Sequence, residues 1–108
     1  MDIESLQRKL REFAATRDWE QYHNPKNLSM ALAVEASELQ EIFQWMTVEE
    51  SEAVRNEPQH AAEEIADVFI YLARLADVLG IDLEDAVESK IASNGEKYPA
   101  RGSDTPRQ

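Results

Sequence analysis

The chain has no cysteine. That excludes disulfides, thiolate nucleophiles and Cys-ligated zinc, and it leaves the redox compartment open. Glycine and proline are scarce, at 3 and 4 in 108 residues. They fall in gaps, at Pro25, Pro58 and Gly80 and then at Gly95, Pro99, Gly102 and Pro106. Positive charge is also in short supply. Lys+Arg number 11 against 22 Asp+Glu, a formal net charge of −11. Tracking a nucleic-acid duplex or an anionic membrane needs a basic face, so neither is expected as the main partner. A nucleotide held through bound cations stays open. No apolar run approaches the ~20 residues that span a bilayer. Met1–Ile3 opens directly into a charged helical pattern, so no signal peptide is expected and the default address is cytoplasmic. Neither the G-x-x-x-x-G-K-[ST] phosphate loop nor the G-x-S-x-G nucleophile elbow occurs.

What remains is 43% apolar and 31% charged, enough for a core and a charged surface, within the length of one domain. Between the gaps, apolar residues recur at three and four, which predicts an all-α helical bundle of four to five helices. No strand alternation of useful length and no internal repeat is present. The first helix is expected over Ile3–Thr16, with Asp2 as N-cap and a stripe of Leu6, Leu10, Phe13 and Ala14. A loop with three rings in five residues follows (Trp19, Tyr22 and His23). The second helix is expected over Asn27–Met46. Thr47-Val48-Glu49-Glu50 matches a capping box and starts a short third helix, which Pro58 ends. The fourth runs from Gln59 to Leu79 with Gly80 at its end. Asp82 caps a fifth, to about Ser93, with Leu83, Ala86, Val87 and Ile91 facing inward. Residues 1–99 form the domain, and 100–108 read as a polar flexible tail. The fourth helix is apolar almost all round, which predicts neighbours on both sides and hence a homo-oligomer.

Four acids are out of place. Glu35 sits within the apolar stripe of Leu28, Leu32, Leu39 and Ile42. An unpaired carboxylate there costs several kcal/mol or takes up a proton. Glu38 follows at i+3 on the same side, and Glu41 at the next i+3, further toward solvent. The fourth helix repeats the arrangement with Glu64 and Asp67. Each pair runs on into an aromatic, Trp45 from the first and Tyr71 from the second. If the two helices pack face to face, four carboxylates converge with no Lys or Arg in the stripes. Hard divalent cations resolve that, and an oxygen-only donor set selects Mg²⁺, Mn²⁺ or Ca²⁺ over zinc. A di-iron site needs Glu-x-x-His on two helices. Here only Glu57-Pro-Gln-His60 has that spacing, and Pro58 breaks it. A helical cation cluster without a phosphate loop points to substrates that bring their own phosphates.

Glu35-Ala-Ser-Glu38 followed by Glu64-Ile-Ala-Asp67 resembles the E-x-x-E…E-x-x-D signature of the MazG-like all-α nucleoside triphosphate pyrophosphohydrolases. The wider wording resembles their dCTP pyrophosphatase branch: Phe13-Ala-Ala-x-Arg17-Asp18-Trp19-Glu20-Gln21, Pro25-x-Asn27-Leu28, Glu38-Leu39-x-Glu41-x-Phe43-Gln44-Trp45 and Asp67-Val68-x-Ile70-Tyr71-Leu72. The likeness runs from about Leu6 to Pro99. It implies a Mg²⁺-dependent cleavage (Mn²⁺ an alternative) of a dNTP, dCTP or a 5-modified dCTP foremost, to dNMP and pyrophosphate, in nucleotide-pool house-cleaning. It implies Glu35, Glu38, Glu64 and Asp67 as metal ligands. It implies Trp19, Trp45, Tyr71, Lys90, Asn94 and Lys97 as nucleotide contacts, and a tetramer built from dimers whose active site is completed by subunit contact. Leu10 stands where the animal dCTP enzymes carry His, and Lys97 where some members have Arg.

A triphosphate carries about four negative charges, which divalent cations neutralise while orienting a water. Glu38 or Glu41 is then the expected general base. Two other readings share the fold: a relative acting on another non-canonical nucleotide, and a non-catalytic helical module that binds a nucleotide or a protein. His23 reads as a turn or packing residue, and His60 as surface.

Overall fold

A computed structural model describes residues 1–101; of the tail expected over 100–108, residues 102–108 lie outside them. The described residues are helical and contain no strand, in agreement with the all-α expectation. Helix α1 spans Ile3–Thr16, α2 Pro25–Phe43, α3 Val48–Ala53, α4 Gln59–Val78 and α5 Leu83–Lys97. Short 3₁₀ turns occupy Glu20–Tyr22 and Val54–Asn56.

The helix ends follow local chemistry. The Asp2 carboxylate accepts from the Glu4 N–H at 3.1 Å and starts α1. The Asn24 side chain accepts from the Asn27 N–H at 2.9 Å, with Pro25 in the first turn, so α2 begins two residues before Asn27. Thr47 and Glu50 form both bonds of the capping box. Gly80, at φ 68°, ends α4: its N–H bonds to Asp77 O, and the Ile81 N–H to Ala76 O. The same motif ends α1 with Asp18 in the left-handed position at φ 56°. There the Trp19 N–H returns to Ala14 O at 2.9 Å. That turn folds Trp19 back against α1.

Four expectations are corrected. Helix α2 stops at Phe43, so Trp45 and Met46 lie beyond it. Helix α5 continues through Gly95 to Lys97 because Asn94, Gly95 and Glu96 keep helical bonding; one exposed glycine costs only about 1 kcal/mol. Its apolar stripe is not inward: Val87 and Ile91 are exposed. In α1 the buried positions are Gln7 and Ala14, while Phe13 is half-exposed. Gln7 is tolerated because its amide donates to Ala73 O at 3.0 Å, tying α1 to α4.

The core is the antiparallel α2–α4 pair, with α1 laid against α4. Among the described residues, Leu28 is the one large fully buried side chain. The radius of gyration is 17.6 Å, whereas a self-contained domain of this length has about 13 Å. The α2–α4 seam is what places the acids.

Candidate metal centre and ring cavity

The i, i+3 spacing on each helix carries its two acids to one side, and the antiparallel seam brings the two sides together. One carboxylate oxygen each from Glu35, Glu64 and Asp67 lies within 4.8 Å of the others. Burial pushes the Glu35 carboxyl above its ordinary value, and the close side chain and charge of Glu38 add to this, followed by Asp67 and Glu64. Burial likewise raises Glu64, joined by the charges of Glu38 and Asp67. His60 pulls Glu64 the other way, its Nε2 lying 3.8 Å from Oε1. Glu38 is thus close to both half-buried acids, and all four signature carboxylates share one locality.

Glu35 Oε2 and Glu64 Oε2 are buried with no hydrogen-bond partner among the described residues. Buried carboxylate oxygens are normally paired, because stripping their water without replacement is costly. No Lys or Arg of the described chain forms an ion pair with these acids. The donor set is oxygen-only and strongly negative, which fits a hard divalent cation. Beside it, Glu38, Glu41, Ile42, His60 and Glu64 line a cavity of about 350 Å³.

One turn along α4 from Asp67, Tyr71 enters a second cavity of about 210 Å³, shared with Leu10, Phe13, Trp19, His23 and Arg74. Its walls are rings. Trp19 meets Phe13 edge-to-face at 5.6 Å between centroids, and His23 at 6.2 Å. Arg17 lies over the Phe13 ring, its Cζ 3.4 Å from the centroid. An acid cluster and an aromatic slot thus meet on adjacent turns of one helix. The model of the MazG-like family matches residues 30–106. The chain belongs to the MazG-like family.

Its relatives include proteins named dCTP pyrophosphatase 1. The rat protein is 45% identical over 107 residues, covering 94% of this chain and 63% of the relative. The human protein is 46% identical over 101 residues, covering 91% and 59%. This chain therefore spans about three fifths of the length of these curated relatives. The crystal structure of a pyrophosphatase from Archaeoglobus fulgidus DSM 4304 superposes with a TM-score of 0.83 at 45% identity, covering 90% of this chain and 92% of that one.

Other residues singled out in this MazG-like sequence stand apart from the two cavities. Trp45 follows the end of α2 and is 88% exposed. Lys90, Asn94 and Lys97 lie along α5, which buries none of its residues. Lys97 Nζ sits 5.4 Å from the neighbouring Tyr98 ring centroid. His60, read as surface, is exposed and lies beside Glu64; His23, read as a turn or packing residue, packs in the ring cavity with Arg74, which was not singled out from the sequence. A lone loop histidine carries no local signal. Arg74 was hidden among the apolar residues of α4, although a cation in a helix that apolar was the one available clue.

Proposed function

We propose that the protein hydrolyses a deoxynucleoside triphosphate, dCTP or a 5-modified dCTP foremost, to the monophosphate and pyrophosphate. The observation that carries this reading is the pair of buried, unpartnered oxygens of Glu35 and Glu64, with Glu64 about two helical turns along α4 from Tyr71 of the ring cavity. The names of its relatives agree with it.

Glu35, Glu38, Glu64 and Asp67 would hold Mg²⁺, or Mn²⁺ in its place. When bound, the cation supplies positive charge against the phosphate oxygens and lowers the pKa of a coordinated water. Trp19 and Tyr71 provide faces on which a base stacks. Hydrolysis adds the oxygen of water to phosphorus and breaks a phosphoanhydride bond, whose electron pair leaves with pyrophosphate. The proton of the water passes to Glu38 or Glu41, both of which line the open cavity at the acid cluster.

The active unit is a homo-oligomer, a tetramer built from dimers. The chain is long for its size and leaves Val34, Ile65 and Ile91 exposed, while Trp45, Lys90, Asn94 and Lys97 lie outside both cavities of their own subunit. A second copy would cover the apolar residues and bring those side chains to the nucleotide. The protein would act on the free nucleotide pool of the cytoplasm.

The deciding experiment incubates the purified protein with each dNTP, and with 5-substituted and oxidised nucleotides, in the presence of Mg²⁺. Formation of equal amounts of monophosphate and pyrophosphate is expected, fastest with a cytosine nucleotide. No product from any nucleotide would overturn the reading in favour of a binding module.

A further inference from the structure

The ring cavity holds a buried charge that the proposed reaction leaves unused. The Arg74 side chain is only 9% exposed, yet it lines an otherwise apolar slot. Its Nη1 donates to Asp77 Oδ2 at 3.1 Å, and the same oxygen takes Arg11 Nε from α1 at 2.8 Å. One carboxylate thus grips two guanidinium groups on two helices. Across the cavity, Arg74 Nε donates to His23 Nδ1 at 3.1 Å.

That last bond has one chemical solution. A guanidinium has only donors, so Nδ1 must offer a lone pair, and a neutral imidazole then carries its proton on Nε2. A charged His23 would set N–H against N–H beside a fixed cation. Burial, then the Arg74 charge, accordingly holds the His23 pKa below its ordinary value. The charged groups around this corner are Arg74 and Asp77 on α4, Arg11 on α1 and Arg17 just past its end, and Tyr71 is the other titratable side chain on the wall. The oriented imidazole in turn abuts Trp19.

We propose that Arg74 is a positioning residue for the base: anchored by Asp77, whose carboxylate Arg11 also holds, it fixes His23 in one orientation and, through that ring, fixes Trp19 as a stacking wall. The inference rests on the proposed nucleotide reading for its ligand, but the Arg74–His23 lock stands on the hydrogen-bond geometry alone. Pre-orienting the wall spares the ligand the cost of ordering it.

Two measurements on the full chain test this. First, ¹⁵N-resolved NMR of His23 without ligand is expected to show Nδ1 unprotonated and Nε2 protonated at neutral pH, titrating below 6.5. Arg74→Met is expected to raise that midpoint. A wild-type His23 protonated on Nδ1 overturns the proposal, whether or not any variant folds. Second, dCMP affinity is measured calorimetrically without metal, where no hydrolysis occurs. Arg74→Met is expected to weaken it about tenfold, the effect of losing one buried charged hydrogen bond. Where the Met variant loses its helical circular dichroism, Arg74→Lys takes its place; it keeps the charge but lacks the fork, so the same loss is expected. Wild type and folded variant binding equally well overturns the inference and leaves the nucleotide reading intact. Wild type binding no nucleotide overturns the function reading, and the positioning role with it.

Discussion

Glu35 on α2 and Glu64 on α4 face one another across the helix seam, each with its Oε2 buried and unbonded. Their ligand atoms, with one from Asp67, fall within 4.8 Å. Like charges held this close in a partly dry seam oppose folding, so the cluster couples cation binding to stability.

Mg²⁺ or Mn²⁺ is therefore expected to raise the melting temperature, and a chelator to lower it. At a hundred times the dissociation constant the gain is about 2.7 kcal/mol. Glu35→Gln is expected to raise the metal-free melting temperature, because it removes repulsion, and to abolish most of the metal increment. A clear fall in metal-free stability would instead mean that the protein itself pairs Glu35. Thermal scans of both proteins with and without cation settle this.

Glu38 stands beside both half-buried acids and is itself exposed. Glu38→Gln is expected to lower the turnover rate by at least about 10²-fold, the lower end of what a general base contributes. Helical circular dichroism should stay unchanged. Near-normal pyrophosphate release from the folded variant would remove Glu38 from the reaction.

Trp19 is held by the left-handed turn at Asp18 and by Phe13 and His23. Trp19→Ala is expected to raise the KM for the preferred nucleotide about tenfold, since stacking of one base on an aromatic side chain is worth about 1–3 kcal/mol. The turnover rate should change much less. Steady-state kinetics on the two proteins read the split, and an unchanged KM would place the base elsewhere.

Burial and Arg74 depress the His23 pKa in the folded state. In the unfolded chain it returns to about 6.5. The unfolded state then binds more protons in the interval between the two values. The stability contribution of neutral His23 is present above about pH 6.5 and is lost as pH falls through the lowered folded value. Denaturant unfolding from pH 7.5 to 5 should show this loss, and His23→Asn, which cannot titrate, should flatten it. An equal slope in both proteins would mean that His23 is not the group responsible.

The exposed apolar residues on α2, α4 and α5 predict self-association. Light scattering is expected to give about four times the monomer mass. A monomer at all concentrations would leave Trp45 and the α5 lysines without a surface to act on.

Local information in the chain determined the helices and the acids. The three- and four-residue spacing of apolar positions, together with Asp2, Thr47 and Asp82 as caps, predicts α1, α3 and the start of α5 from neighbours alone. Glu35-x-x-Glu38 and Glu64-x-x-Asp67 are legible for the same reason: a helix turns residues three apart to one side whatever surrounds it. Tertiary structure decided what chain distance hides. His23 and Arg74 are 51 residues apart, and Gln7 and Ala73 are 66 apart. No periodicity shows that a loop histidine will meet an arginine on α4, or that one carboxylate will hold two guanidiniums. The inward stripe expected for α5 failed because amphipathic spacing says that a face is apolar, while only packing says what, if anything, in the same subunit covers it.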